Sequence, residues 1–359
     1  MKKTAYHPEI YKSFKELQNN YPSILLEPEG YTIINSIESQ VVDWLKLNNP
    51  GIYNDSIAFS QLVSKYVAEN DIENYGNWVF YPWKNTIARI LPEEEFIAVR
   101  TVRNKYKITA EEQATLRKKK IGIVGLSVGQ SVALTLAMER IAGELRIADF
   151  DRLELSNLNR IRTSILAIDE LKTTIVAREI AEIDPYLKVK TFDQGITHEN
   201  IAVFIGSNDE KLDIIIDECD SIAIKIALRE KAKKLQIPVV MDTSDRGMLD
   251  IERYDLENDY PLFHGLVNEN EIAEMKNKDI DPTRKATLIK KIIGKKTMSP
   301  ALRNSMDEIG KTITTWPQLA SGVALGGAIA AIAARKIALN EPHIHSGRYF
   351  VDFNEIVKS

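Results

Sequence analysis

The stretch Leu155-Ser-Asn157-Leu-Asn159-Arg160, with Lys172 twelve residues later, gathers groups suited to holding phosphate. Arginine offers a planar bidentate fork and lysine a mobile point charge. Acting together, Arg160 and Lys172 can neutralise the oxygens of a triphosphate and of departing pyrophosphate. Taken singly, each reads as a solvated surface cation. Hydride transfer has no use for loose cations at this point. Downstream, the mostly apolar run Leu212–Ile216 ends in Asp217-Glu-Cys219-Asp220-Ser221. That run delivers Asp220 to the end of a strand, where a carboxylate can hold a hard divalent ion between protein and phosphates, and can also cap the helix beginning near Ser221.

A glycine-containing turn lies upstream. Gly125-Leu-Ser127-Val-Gly129-Gln-Ser131 occupies the place of the Gly-x-Gly-x-x-Gly turn of dinucleotide folds. Gly125 can make the tight turn, and Ser127 replaces the glycine that lets a pyrophosphate approach the backbone. Alone, the same residues describe a strand-to-helix turn without a ligand. Asp149, twenty-four residues after Gly125, stands where a carboxylate accepts hydrogen bonds from both ribose hydroxyls. That placement fits ATP and NAD equally, and it also fits a strand-end cap. Asp151 reads first as a turn residue or helix cap.

The hydrophobic pattern supplies the elements that must position these groups. Ile121–Val124, Leu145–Ala148, Leu187–Phe192, Leu212–Ile216 and Pro238–Met241 read as strands, with helices at Val132–Met138, Thr173–Ile183 and Ser221–Leu235 between them. This alternation predicts an α/β fold, a Rossmann-like, doubly wound and mostly parallel sheet whose crevice lies at the carboxyl ends of the strands. Thr109-x-x-Glu112 has capping-box spacing and opens a short helix before the first strand. Residues 1–95 read as a mainly helical extension, with helices near Ile10–Leu17, Ser36–Leu47 and Ser56–Val67, and residues 96–359 as the second domain. The aromatics of Asn77–Trp83 lack the clustered cations that base stacking needs, so they read as core. Leu319–Ala334 is apolar but falls short of the ~20 residues of a bilayer crossing, and it reads as a buried helix rather than a membrane contact.

Composition bounds the rest. At 359 residues, 44% hydrophobic and 27% charged, the chain can bury a substantial core. Its net charge of -4 argues against a surface built for nucleic acid. One cysteine excludes a disulfide framework and a four-cysteine zinc site, which suits a cytoplasmic protein, and the N-terminal lysines are followed by no apolar segment of a secretory signal.

Together, the Gly-x-Ser turn at Gly125, Ala-Asp149-Phe-Asp151, Ser-Asn157-Leu-Asn-Arg160, Lys172 and Asp217-x-x-Asp220 resemble the ThiF/MoeB/HesA superfamily, the adenylating domain shared with ubiquitin-activating enzymes. The resemblance runs from roughly Arg100 to the C-terminus. It implies that ATP binds at Gly125, Ser127, Gly129, Asp149, Asp151, Asn157, Arg160 and Lys172, and that Asp220 holds Mg2+. It implies catalytic roles for Arg160, Lys172 and Asp220, and a homodimer in which Arg100, of the pair Arg100-Thr-Val-Arg103, reaches the partner's ATP site. The same arginine also reads as an ordinary salt-bridged residue. Residues 266–316 would correspond to the loop that crosses the active site, and Leu319–Ala334 to the apolar helix after it.

The departures narrow the expectation. Many relatives carry paired Cys-x-x-Cys zinc ligands, which this chain lacks, so no zinc is expected. Relatives that form a thioester place a cysteine in the crossing loop, whereas Leu266–Thr315 has none and Cys219 reads as core, so no cysteine step is expected. The implied activity is ATP-dependent adenylation of a carboxylate with release of pyrophosphate. The acceptor would be a ubiquitin-like or sulfur-carrier C-terminus, a peptide or a small acid. No general base is needed, because a carboxylate is already ionised at neutral pH.

Three other readings remain open: an NAD(P)-dependent oxidoreductase, which leaves Arg160, Lys172 and Asp220 without a task; a degenerate nucleotide-binding dimeric scaffold; and dehydration of a modified tRNA nucleoside carboxylate. The basic run Arg284–Lys296 reads as a solvated helix face. His264 reads as a hydrogen-bonded structural residue or a base, and His343 and His345 support no metal site.

Overall fold

Ser13 ends an extended segment and starts a helix: its hydroxyl oxygen accepts the Glu16 backbone N–H at 3.1 Å. The helix expected over Ile10–Leu17 is therefore divided, with strand β1 at Glu9–Tyr11 and the helix at Phe14–Asn20. The helices Ile37–Asn48 and Ser56–Glu69 form where the apolar spacing places them, the latter capped by Asp55. β2 (Thr32–Asn35) precedes these helices, and β3 (Asn77–Tyr81) and β4 (Thr86–Ile90) follow them. The four strands pair in the order β1-β3-β4-β2, with only β2 and β4 parallel. This small sheet has no counterpart in the helical expectation. Its strands are three to five residues long, too short for an alternation to stand out. The aromatic stretch is β3, and Phe80 packs in a core with Leu17, Ile24 and Ile87.

The computed structural model describes residues 6–276, 280–294 and 297–357, and the chain divides into two units. One takes the residues up to Ala110 together with Ala181–Tyr186, and the other Glu111–Ile180 with Leu187 onward.

In the second unit, β5 (Lys120–Val124), β6 (Glu144–Ala148), β7 (Lys188–Phe192), β8 (Ile214–Asp217), β9 (Val239–Asp242), β10 (Met248–Glu252) and β11 (Gly347–Phe350) form one sheet in the order β11-β10-β9-β8-β5-β6-β7. From β7 to β9 every pairing is parallel, while β10 and β11 are antiparallel additions. β6, β8 and β9 are buried at every residue, as a parallel sheet covered on both faces requires. The doubly wound expectation holds. The helices Gly129–Glu139, Lys172–Ile183 and Ile222–Leu235 connect the parallel strands.

The helix Ala320–Ala338 is long and apolar enough to cross a membrane by composition, yet half of its most apolar stretch is buried within this fold. A Cβ on Gly327 would stand 2.2 Å from Ser131 Oγ, so this helix and Gly129–Glu139 touch backbone to backbone. It is a core helix, as expected.

Candidate active site

At β5 the strand order turns back on itself, with β6 on one side and β8 on the other, and such a switch point opens a crevice at the carboxyl ends of the strands. Gly125 follows β5 with φ +89°, and a Cβ there would lie 2.5 Å from the Glu218 carbonyl oxygen. The turn thus runs hard against the loop after β8. A Cβ on Gly129 would meet Ile123 Cγ2 at 2.9 Å, so this glycine lets the following helix lie close on β5 rather than lining the crevice.

The crevice is a cavity of about 1170 Å³. Gly125, Ser127, Asp149 and Asp151 line it, and so do Asn157, Arg160, Lys172 and Asp220. Asp149 is 8% exposed; its Oδ2 accepts the Leu126 N–H at 2.6 Å and its Oδ1 the Asp151 N–H at 2.8 Å. Each oxygen keeps a lone pair for a further donor. Burial pushes the Asp149 pKa up, against the pull of Lys172 and the two backbone N–H groups. Lys172 opens its helix and is nearly buried, with Nζ 2.8 Å from Oδ2 of the half-exposed Asp151.

Arg160 Nε donates to Ser127 Oγ at 3.0 Å, and Nη1 donates to Asn159 Oδ1 at 2.9 Å. Ser127 is therefore the bracket that holds the guanidinium over the glycine turn. Burial lowers the Arg160 pKa, opposed by the charges of Asp220 and Glu154. Buried Asn157 closes a capping box, its Oδ1 accepting the Glu154 N–H at 3.1 Å, and so fixes the turn that carries Arg160. Asp220 is exposed and offers a single hard oxygen donor group, which fits a magnesium ion that draws its other ligands from phosphates and water.

Residues 100–357 match the ThiF family. The chain belongs to this family. An uncharacterized Mycobacterium tuberculosis protein is 42% identical over 284 residues, covering 78% of this chain and 38% of that protein. The Bacillus subtilis tRNA threonylcarbamoyladenosine dehydratase is 28% identical over 156 residues, covering 43% of this chain and 60% of that enzyme. This chain thus spans less than two thirds of each of these relatives' lengths. Among solved structures, the crystal structure of PaaA superposes with a TM-score of 0.53 at 21% identity, over 74% of this chain and 82% of that one, which shows a shared fold.

The expectation for Arg100 concerns a partner's ATP site and not this chain's own cavity. Arg100 ends the helix Glu93–Arg100 in the first unit, where Nη2 pairs with buried Asp184 at 2.9 Å. Asp217 is also no ligand: it is fully buried, bonded to Arg229, with Lys225 Nζ 3.2 Å away. Burial alone would raise its pKa, and the two cations hold it below the ordinary value. Arg229 in turn donates to Glu252 Oε2 at 2.6 Å, a network that fixes the end of β8.

The Cys219 thiol donates to Asp217 Oδ1 at 3.1 Å, and burial, then the Asp217 charge, pushes its pKa well up. His264 Nδ1 meets the Tyr260 hydroxyl at 2.9 Å and Nε2 lies 3.4 Å from Asp250, away from the cavity lining. This is the structural alternative. In the basic run, Arg284 pairs with Glu274 and Lys291 with Glu271, while Leu288 and Ile292 pack inward. Lys295 and Lys296 lie outside the described residues.

Glu218 and Asp242 line the same cavity and were not singled out from sequence. Glu218 Oε1 accepts the Asp242 N–H at 2.9 Å. Burial, then the neighbouring carboxylate, raises Glu218 well above the usual range, and burial raises Asp242 to about 6. A signal existed: Asp242 ends an apolar strand just as Asp149 follows one.

Proposed function

We propose that this chain is an ATP-dependent adenylyltransferase that activates a carboxylate as an acyl-adenylate. The observation that carries the reading is Arg160 bracketed by Ser127 in one cavity with Lys172, Asp149 and Asp220. A hydride-transfer site would leave two cations and an exposed aspartate idle. In this reading Asp149 receives ribose hydroxyls and Arg160 and Lys172 bind the phosphates, with Lys172 exchanging Asp151 for phosphate oxygen. Asp220 would hold magnesium, which when bound neutralises phosphate charge.

A substrate carboxylate oxygen attacks the α-phosphorus in line. The new C–O–P bond forms as the bond to the bridging oxygen of pyrophosphate breaks, and pyrophosphate leaves with the electron pair. Arg160 and Lys172 stabilise that departing charge, and catalysis is positioning and electrostatics without a general base. The reading includes a homodimer and a cytoplasmic location. It has no cysteine thioester step, in keeping with the hydrogen-bonded Cys219. The acyl class stays broad here: a ubiquitin-like or sulfur-carrier C-terminus, a peptide, or a small acid.

The test is thermal stability of the wild type, Lys172→Ala and Asp220→Asn with ATP plus magnesium, ATP plus EDTA, and NADH. Ligand at about a hundred times its dissociation constant adds about 2.7 kcal/mol. The expected result is stabilisation by ATP–magnesium that weakens in both variants. Stabilisation by NADH alone would sink the adenylation reading.

A further inference from the structure

From Thr314 to Leu319 the chain forms neither helix nor strand, and Thr315–Leu319 line the cavity that Arg160 also lines. On one side, Glu308–Ile313 closes on itself, the Gly310 N–H donating to the Ile313 carbonyl at 2.8 Å. On the other, the Val323 N–H donates to the Leu319 carbonyl at 3.0 Å and starts the helix Ala320–Ala338. Between these two ends, a single hydrogen bond among the described residues ties Thr314–Gln318 to the rest of the fold. Asn159 Nδ2 donates to the Gln318 carbonyl at 2.8 Å.

The other end of the same amide holds the phosphate clamp. Asn159 Oδ1 accepts from Arg160 Nη1 at 2.9 Å. A guanidinium only donates and a carbonyl only accepts, so one side chain standing between them must carry an acceptor and a donor together at its tip. Asparagine does; aspartate lacks the donor, and alanine lacks both. Asn159 does not itself line the cavity. It ends the turn Leu155–Asn159 that Asn157 fixes, touching the clamp rather than the space in front of it. Because Asn159 is exposed, holding its side chain in one rotamer costs entropy. A ligand that immobilises Arg160 meets part of that cost and leaves the Nδ2 donor in place for Gln318.

Resting on the adenylation reading, we propose that Asn159 is a positioning residue that couples the phosphate clamp to the Thr315–Leu319 wall. Phosphate seated on Arg160 fixes the amide, and the amide fixes the segment. ATP thereby shapes the remainder of the cavity, where the acid must lie, before the acid arrives. Linkage makes the effect reciprocal: whatever orders Thr315–Leu319 tightens ATP by the same factor, and couplings of this kind are typically about 5–150-fold.

Amide hydrogen exchange in the full chain, with and without saturating ATP plus magnesium, tests this. The amides of Gly125–Gly129 report binding, and those of Thr314–Gly322 report coupling. In the wild type ATP–magnesium should slow both, the second by at least about fivefold, the lower end of that range. In Asn159→Ala the first should still slow, while Thr314–Gly322 exchanges fast with or without nucleotide, the two rates agreeing within about twofold. Asn159→Asp keeps the acceptor for Arg160 and removes the donor to Gln318, so it should behave alike, and it serves should Asn159→Ala fail to fold. A merely structural role would speed exchange in Thr314–Gly322 equally in both conditions and leave the ATP-induced slowing intact, which overturns the proposal. So does a wild type in which ATP slows Gly125–Gly129 but not Thr314–Gly322. Loss of slowing at both segments in both variants would make Asn159 part of the nucleotide site and overturns it too. Absence of slowing at Gly125–Gly129 in the wild type removes the adenylation reading itself, a separate and distinguishable result.

Discussion

Arg160 is held in place from within the chain: Ser127 Oγ accepts a hydrogen bond from its Nε–H and Asn159 Oδ1 accepts one from Nη1. A clamp oriented in advance pays less to order itself around phosphate. Arg160→Ala should lower pyrophosphate exchange on the order of 10²–10³-fold, the loss typical of removing one preorganised donor at a developing charge. Ser127→Ala, which frees the guanidinium without deleting it, should cost only about tenfold. Equal losses in the two variants would mean that Ser127 contacts the nucleotide itself. Asp242 gives a different handle. Its carboxyl is raised from the ordinary 3.8 to about 6 in the folded chain, so between those values the native state keeps a proton that the unfolded state releases. Stability therefore falls as pH rises through roughly 4 to 6 and stays lower above, by as much as about 3 kcal/mol. Asp242→Asn should flatten that fall, read from urea midpoints at pH 4 to 7.5; parallel curves for the two proteins would refute it.

At the scale of elements, two glycines set how closely the parts of the second unit approach. Gly125→Ala puts a side chain at φ +89° and 2.5 Å from a backbone oxygen, so it should destabilise the protein by about 1–3 kcal/mol and abolish the ATP-induced rise in melting temperature. Gly327→Ala drives a Cβ into Ser131 and should cost about 1–3 kcal/mol by overpacking, with no direct contact to the cavity lining. Calorimetry separates the two, since only the first should uncouple ATP.

The parallel strands were legible because burial on both faces writes an unbroken apolar run, as in Ile214-Ile-Ile216. β10 was not. Asp250 and Glu252 break its pattern, and Arg348, from β11, and Arg229, from a helix, neutralise them across long sequence separations. The same holds at the site. Asp149, Arg160, Lys172 and Asp220 carry motif spacing, whereas Glu218 and Asp242 acquire meaning only once β8 and β9 end side by side.

At the scale of the whole molecule, the first unit is not continuous in sequence. Trp83 Nε1 donates to Glu182 at 2.7 Å, Arg100 pairs with Asp184, and the Tyr186 hydroxyl donates to the Leu91 carbonyl at 2.8 Å. A chain starting at Glu111 would strip Ala181–Tyr186 of these partners. Amide exchange in that fragment should show Ala181–Tyr186 unprotected while β5 and β6 stay protected, and undiminished protection would refute the assignment. Arg100→Ala should cost about 1.5–3 kcal/mol, because it removes a charged hydrogen-bond partner from the buried Asp184 carboxylate.

The discontinuity also has a timetable. A ribosome that has finished Ala110 has not yet supplied Glu182, Asp184 or Tyr186, and at about 5–20 residues per second it needs roughly 4–15 s more to reach them. Through that interval the emerging N-terminal strands and helices wait, incomplete, while the first strands of the other unit are already leaving the exit tunnel. The order of synthesis therefore makes the half that begins first wait for residues that are made only after the other half has begun, and it leaves the early chain exposed to chaperones for the time that takes.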